Sequence, residues 1–289
     1  MDNQSYIIPD AEIKAGKKIE GVLRAQTQSK EFLIFTGCFT IMMISFVLST
    51  ITGGISEIFK GLIPAICMIV ATIGLWRSRK MTDGEMLSKT IKKASAYDGY
   101  LFVVYAILTI IVLLGYIGIM VMLGVVAFEA NSPMTELIGM LVKVSVICLI
   151  PLIIVGRLST IYEQRRKYFQ ALSECALTGE YNLAKYKLEK APALWSYILG
   201  AWSVLMGIGA FMSSILIKLS MSAVSGLLKS FEIEGLDNVE EILNTVSEFI
   251  AGNAASTAIL GVSNLVLGGY YIFSAIWISK TDKAIRDAE

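Results

Sequence analysis

Apolar residues along this chain gather in long unbroken runs instead of alternating with polar ones. A helix needs about 20 apolar residues to cross the hydrocarbon core of a bilayer. Six runs qualify: 32–51, 58–76, 100–128, 137–156, 195–217 and 255–279. A membrane β-barrel would show apolar and polar positions at period two, and these runs do not. The pattern predicts an all-α polytopic integral membrane protein built as a six-transmembrane-helix bundle.

The polar stretches between the runs sort by sign. Of the 25 Lys and Arg residues, five lie in 1–31, six in 77–99, seven in 157–194 and three in 280–289. Of the other Lys and Arg residues, the remaining connections hold only Lys60, Lys218 and Lys229, together with nine acidic residues, such as Glu57, Glu129 and Asp237. The positive-inside rule then places both termini and the loops 77–99 and 157–194 in the cytoplasm. The chain reads as three hairpins in a membrane domain 32–279, flanked by a cytoplasmic N-terminal segment 1–31 and a tail 280–289, with one substantial outer segment at 218–252. Trp76-Arg77-Ser78-Arg79 and Trp277-Ile278-Ser279-Lys280 are faintly alike, but the spans do not start at a fixed period.

Short amphipathic helices are expected outside the spans. Residues 159–177 continue the fourth span without a breaker, and Gly179 offers a C-cap. Residues 180–190 read as a second short helix ended by Pro192. Residues 83–95 are helical in pattern and lead into the third span. On the outer side, Asp237 with Glu240 marks a helix start, and Val239, Ile242, Leu243, Val246, Phe249 and Ile250 share a face suited to the outer leaflet. Arg165-Arg166-Lys167 and Lys92-Lys93 fit orientation signals that touch anionic headgroups, or a docking site for a cytoplasmic protein in 157–194.

Composition supports the same class. Apolar residues make up 55% of the chain and charged ones 17%, with mean hydropathy +0.66. Soluble domains carry about 25% charged residues. Net charge is +1, which gives no reason to expect nucleic acid. The chain has no histidine, which excludes His general bases, Ser–His and Cys–His nucleophile pairs and His-ligated metals. Cys38, Cys67, Cys148 and Cys175 form no C-x-x-C pair and read as reduced, mostly apolar residues. No catalytic, metal or cofactor site is expected. The polar 1–31 segment does not read as a signal peptide. Asn131-Ser132 fails as a sequon because Pro133 follows. The expected location is a bacterial-type cytoplasmic membrane.

Small residues recur at 4-3-4-3 spacing on the last two spans: Ser196, Gly200, Ser203, Gly207, Ala210 and Ser214 on one, Ala254, Ala258, Gly261 and Gly268 on the other. In lipid, close backbone approach over small residues is a main source of helix association. This seam serves either packing within the monomer or an interface to a homo-oligomer or other membrane subunit. Two intramembrane polar residues stand out. Lys143 can snorkel outward or pair with an outer carboxylate such as Glu57. Asn264 suits an interhelical hydrogen bond or a polar path. No Asp or Glu lies deep in a span, which argues against ion-coupled transport. Pro151 predicts a kink in the fourth span.

Glu174-Cys175-Ala176, then Gly179 and Pro192, resemble the cytoplasmic coupling loop of ABC-type importer permeases, which carries Glu-Ala-Ala, a glycine and a closing proline. The glycine arrives one residue early, and Glu189 and Ala191 replace apolar residues. The resemblance covers about 20 residues and implies that Glu174 to Gly179 face an ATPase partner. The leading expectation remains a non-enzymatic subunit of a membrane assembly, acting through helix packing and cytoplasmic docking. The alternative is a permease subunit or channel using Lys143, Pro151, Ser203 and Asn264.

Overall fold

The computed structural model describes residues 10–52, 54–129, 134–188, 191–230 and 236–288. Side chains are described throughout except at 10–17, 127–129, 134, 136–137, 211, 213–230, 236–258 and 260. The described residues are helical, with no strand among them. In order they form α1 (Asp10–Gln28), α2 (Lys30–Thr52), α3 (Ile55–Ser78), α4 (Gly84–Ala94), α5 (Ala96–Glu129), α6 (Met134–Thr178), a 3-10 turn (Ala184–Tyr186), α7 (Ala193–Ser230) and α8 (Leu236–Arg286). Six of these helices are long and apolar enough to cross a membrane: α2, α3, α5, α6, α7 and α8.

The chain divides into two compact units. The first comprises Met1–Gln28, Ser49–Pro192 and Thr281–Glu289. Within it α5 packs along α6, α3 along α4, and α4 against α6. The helix expected at 83–95 is present as α4. Asp83 caps it, accepting from Met86 N–H at 3.1 Å. Ser95 separates α4 from α5, its Oγ donating to Lys92 O at 2.8 Å. The predicted extension of the fourth span is also present, since α6 runs unbroken to Thr178. It packs within the unit, burying Ile161, Tyr162, Tyr168, Phe169, Leu172 and Cys175. Gly179 ends it at φ +77°, a conformation that costs glycine little.

Two expectations need correction, for 180–190 and for the outer helix, and one helix was not anticipated. Residues 180–188 make only the 3-10 turn Ala184–Tyr186. There the Asn182 carbonyl accepts Lys185 N–H at 3.1 Å and Lys187 turns left-handed at φ 57°, which stops a longer helix. The polar 10–28 stretch is a helix, seated by Ile19 and Leu23, which are 4% and 0% exposed. The outer helix starting near Asp237 is the first part of one continuous helix, α8. Its apolar side chains lie outside the described residues.

The second unit comprises Ser29–Leu48 and Ala193–Lys280. An aromatic cluster fills its core. Phe32 stands 4.9 Å from Trp277, and Phe35 and Phe39 each stand 5.2 Å from Tyr270. Lys280 and Glu31 form an ion pair at its edge. Ser196, Gly200, Ser203 and Gly207 are buried on α7, as are Gly261 and Gly268 on α8. A Cβ added to Gly200 would lie 3.1 Å from Gly268 O, and one added to Gly268 would lie 3.0 Å from Gly200 O. At Gly207 it would meet Gly261 O at 3.0 Å. The two backbones therefore meet along this seam, as close approach over small residues allows. Ala210 is half-buried; the side chains of Ser214 and Ala258 lie outside the described residues.

Candidate functional site

Arg165 is the first residue of the basic triplet, on the extension of α6 beyond the fourth apolar run. Its side chain is 0% exposed. Asp98, in the first turn of α5, faces it at 3% exposure, with Arg165 Nε donating to Asp98 Oδ1 at 3.2 Å. Arg165 of the triplet is thus sealed away from any headgroup. Arg165 is a core ion pair, Arg166 lies over the Phe102 ring at 5.3 Å, and Lys167 pairs with Glu163 at 2.7 Å. A sealed arginine needs a sealed carboxylate, because an unpaired buried charge costs several kcal/mol. Burial pushes the Asp98 carboxyl up, and the Arg165 guanidinium opposes that rise.

Further contacts climb the same helix pair in antiparallel steps. The rings of Tyr105 and Tyr162 stack at 5.5 Å and 9°. Higher still, the Tyr116 hydroxyl and Ser145 Oγ are 3.1 Å apart. Alongside this zipper both helices turn apolar side chains outward, among them Ile107, Ile111, Ile147 and Ile154. None of the most apolar 18-residue stretch of either α5 or α6 is buried, against 44% for those of α3 and α8.

Two grooves open in the polar layer of the first unit. One, of about 540 Å³, lies between α4, α6 and the 3-10 turn. Its floor is a buried pair of hydroxyls, Ser88 and Ser173, 2.9 Å apart. Its rim carries Glu85 with Lys89 at 2.5 Å and Glu174 with Lys185. Glu174 also accepts from the Tyr186 hydroxyl at 2.5 Å. The bonds from Lys185 and Tyr186 hold the Glu174 carboxyl below its usual range, while burial and Glu174 push Tyr186 up to about 12. The other groove, of about 760 Å³, is lined by Tyr181, Asn182, Leu183, Lys187 and Arg286 among others. Tyr181 donates to Asp282 Oδ1 at 2.6 Å, and burial, Tyr168 and Asp282 all push the Tyr181 hydroxyl up.

The residues singled out in the sequence fall in both units. Lys143 is exposed on α6, and Pro151 is exposed within the same helix. Asn264 is half-buried on α8, and Ser203 is buried on the α7 seam. Glu174 is half-buried and held by its own chain, Gly179 is the α6 cap, and Pro192 is buried. Lys143 and Pro151 belong to the first unit, and Ser203 and Asn264 to the second. Among the described residues no cluster of three or more Cys, Asp or Glu could hold a metal ion, and all four cysteines are free thiols.

Searches of protein-family models, curated proteins and solved structures find no match to this chain. Its function is therefore argued from its own geometry. Asp98 and Arg165 carry most of what sequence reasoning missed here. The signal was present: an acidic residue one turn before a span, and an arginine on the side of the α6 extension that carries Ile161, Tyr162, Tyr168, Phe169 and Leu172.

Proposed function

We propose that this protein is a non-enzymatic subunit of an assembly in the cytoplasmic membrane, with the α5–α6 hairpin as its interaction surface. The observation that carries the reading is the contrast within that hairpin. Its foot is fastened by Asp98–Arg165 and Tyr105–Tyr162, while no residue of its most apolar stretches is fully buried within the chain. A fastened foot limits how far the two helices splay, so they offer one shape to a neighbouring helix. In lipid such a neighbour binds by close packing, and α5 offers space for it at Gly115 and Gly118, where an added Cβ meets nothing within 4 Å. The α7–α8 seam, by contrast, is occupied within the chain and serves the fold.

The test is the mass of the complex extracted in mild detergent, for the natural chain and for G115L/G118L. Both leucines point into open space in the chain itself, so the fold is retained. The expected result is an assembly that falls to the single-chain mass in the variant. An unchanged mass, or a natural chain that is already single, rejects the proposal. The permease or channel alternative draws less support, because Glu174 of its candidate docking loop is engaged by Lys185 and Tyr186.

A further inference from the structure

Trp76, Arg77, Arg79 and Lys80 close α3, the helix whose 24 residues run from Ile55 to Ser78. Trp76 is 38% exposed, and the Arg79 guanidinium lies 5.9 Å from its ring centroid. After a turn, α4 comes back onto α3. A Cβ at Gly74 would lie 2.6 Å from Ala94 N and 2.9 Å from the Lys93 carbonyl carbon. This close approach sets Lys93, an exposed residue in the last turn of α4, one helical turn from Arg77. One cation, Arg79, thus stands over the exposed indole, and Arg77, Lys80 and Lys93 are carried by the neighbouring turns of α3 and α4.

Eight of the described basic residues elsewhere are neutralised by a carboxylate, and these four are not. Arg24, Lys60, Lys89, Arg165, Lys167, Lys185, Lys280 and Arg286 each pair with a carboxylate. Among the described residues no carboxylate pairs with Arg77, Arg79, Lys80 or Lys93. Tryptophan is favoured at the headgroup level because its ring is apolar and its N–H polar. Clustered Lys and Arg at the foot of a span attract anionic headgroups.

We infer that the α3–α4 corner, Trp76, Arg77, Arg79, Lys80 and Lys93, is a binding site for the headgroup of an anionic phospholipid. The phosphate sits among the four cations, with the acyl chains along the exposed flank of α3 at Ile69 and Ile73. Charge complementarity selects the lipid's sign, and Trp76 at the end of an apolar helix selects a lipid over a soluble anion. The inference rests on the chain being membrane-embedded.

The test is native mass spectrometry of the full chain after exchange into bilayer discs of equal phosphatidylglycerol and phosphatidylcholine. The natural chain is expected to retain phosphatidylglycerol. R77Q/R79Q/K80Q/K93Q is expected to lose that preference by about tenfold, and K80Q alone by less. A control, R157Q/K187Q/K283Q, removes exposed charges elsewhere and is expected to keep it. No preference in the natural chain, the same preference in the fourfold variant, or an equal loss in the control each overturns the site. A chain that does not enter the discs at all overturns the membrane reading instead, and this outcome is separate from the other three.

Discussion

Removing the carboxylate of Asp98 leaves Arg165 sealed from water with its main countercharge gone. D98A is therefore expected to destabilise the chain by about 3–5 kcal/mol, read as a lowered unfolding midpoint in detergent. The double change D98L/R165M should recover most of that loss, because an apolar pair of similar volume avoids the desolvation cost. If D98A and the double variant unfold alike, the pair contributes packing and not charge. Glu174 gives a residue-scale prediction with a pH sign. Its folded-state pKa is held below the ordinary 4.5 by bonds from Lys185 and Tyr186. The stabilisation it contributes is fully present above that ordinary value and is lost as pH falls through the lowered one. Hydrogen exchange over 183–188 should be faster in E174Q than in the natural chain at neutral pH. The two should converge on strong acidification, and a difference that persists there would reject the assignment.

At the scale of elements, glycines separate into those that face backbone and those that face open space. A Cβ at Gly74 would press on the α4 backbone at 2.6 Å, and backbone cannot swing aside. At Gly115 it would meet nothing within 4 Å. G74A should lower the unfolding midpoint and loosen α4 in hydrogen exchange. G115A should leave the midpoint unchanged or raise it by up to about 1 kcal/mol equivalent through helix propensity alone. Equal effects would mean that α4 does not sit on α3 as described. The element scale is also where the sequence was most legible. Runs of apolar residues locate the six long helices because their length is what lipid demands, and Asp83 and Gly179 mark helix ends through capping chemistry that is local. The α1 helix was not legible, because a polar helix seated by Ile19 and Leu23 shows only a thin apolar stripe. The turn after Gly179 was not legible either: Asn182 and Lys187 settle it through side-chain and backbone choices that periodicity does not register.

For the whole molecule, legibility falls further. Arg165 and Lys80 have the same formal charge, yet one is 0% exposed in an ion pair and the other stands exposed at the foot of α3. Only long-range placement decides between them, since the carboxylate that meets Arg165 lies 67 positions away. The same holds for the small-residue seam, whose spacing announces close packing but not the partner; that partner is α8 of the same chain. The scale of the whole molecule is where the two proposals meet experiment. Disruption at Gly115 and Gly118 should separate subunits without altering lipid retention. Neutralising the α3–α4 corner should change retained lipid without altering subunit mass. A variant that did both would show that lipid and neighbour occupy one surface.

The distance between Asp98 and Arg165 along the chain has a consequence for biogenesis. During synthesis the carboxylate is made first, and 66 further residues, including all the rest of α5, must follow before its guanidinium exists. Until then Asp98 stays hydrated, and Arg165 emerges as an ordinary hydrated cation before it is sequestered. The pair thus forms only after both helices have been made. A copy that stalls after α5 has a carboxylate with no mate, and that defect distinguishes an interrupted chain from a finished one.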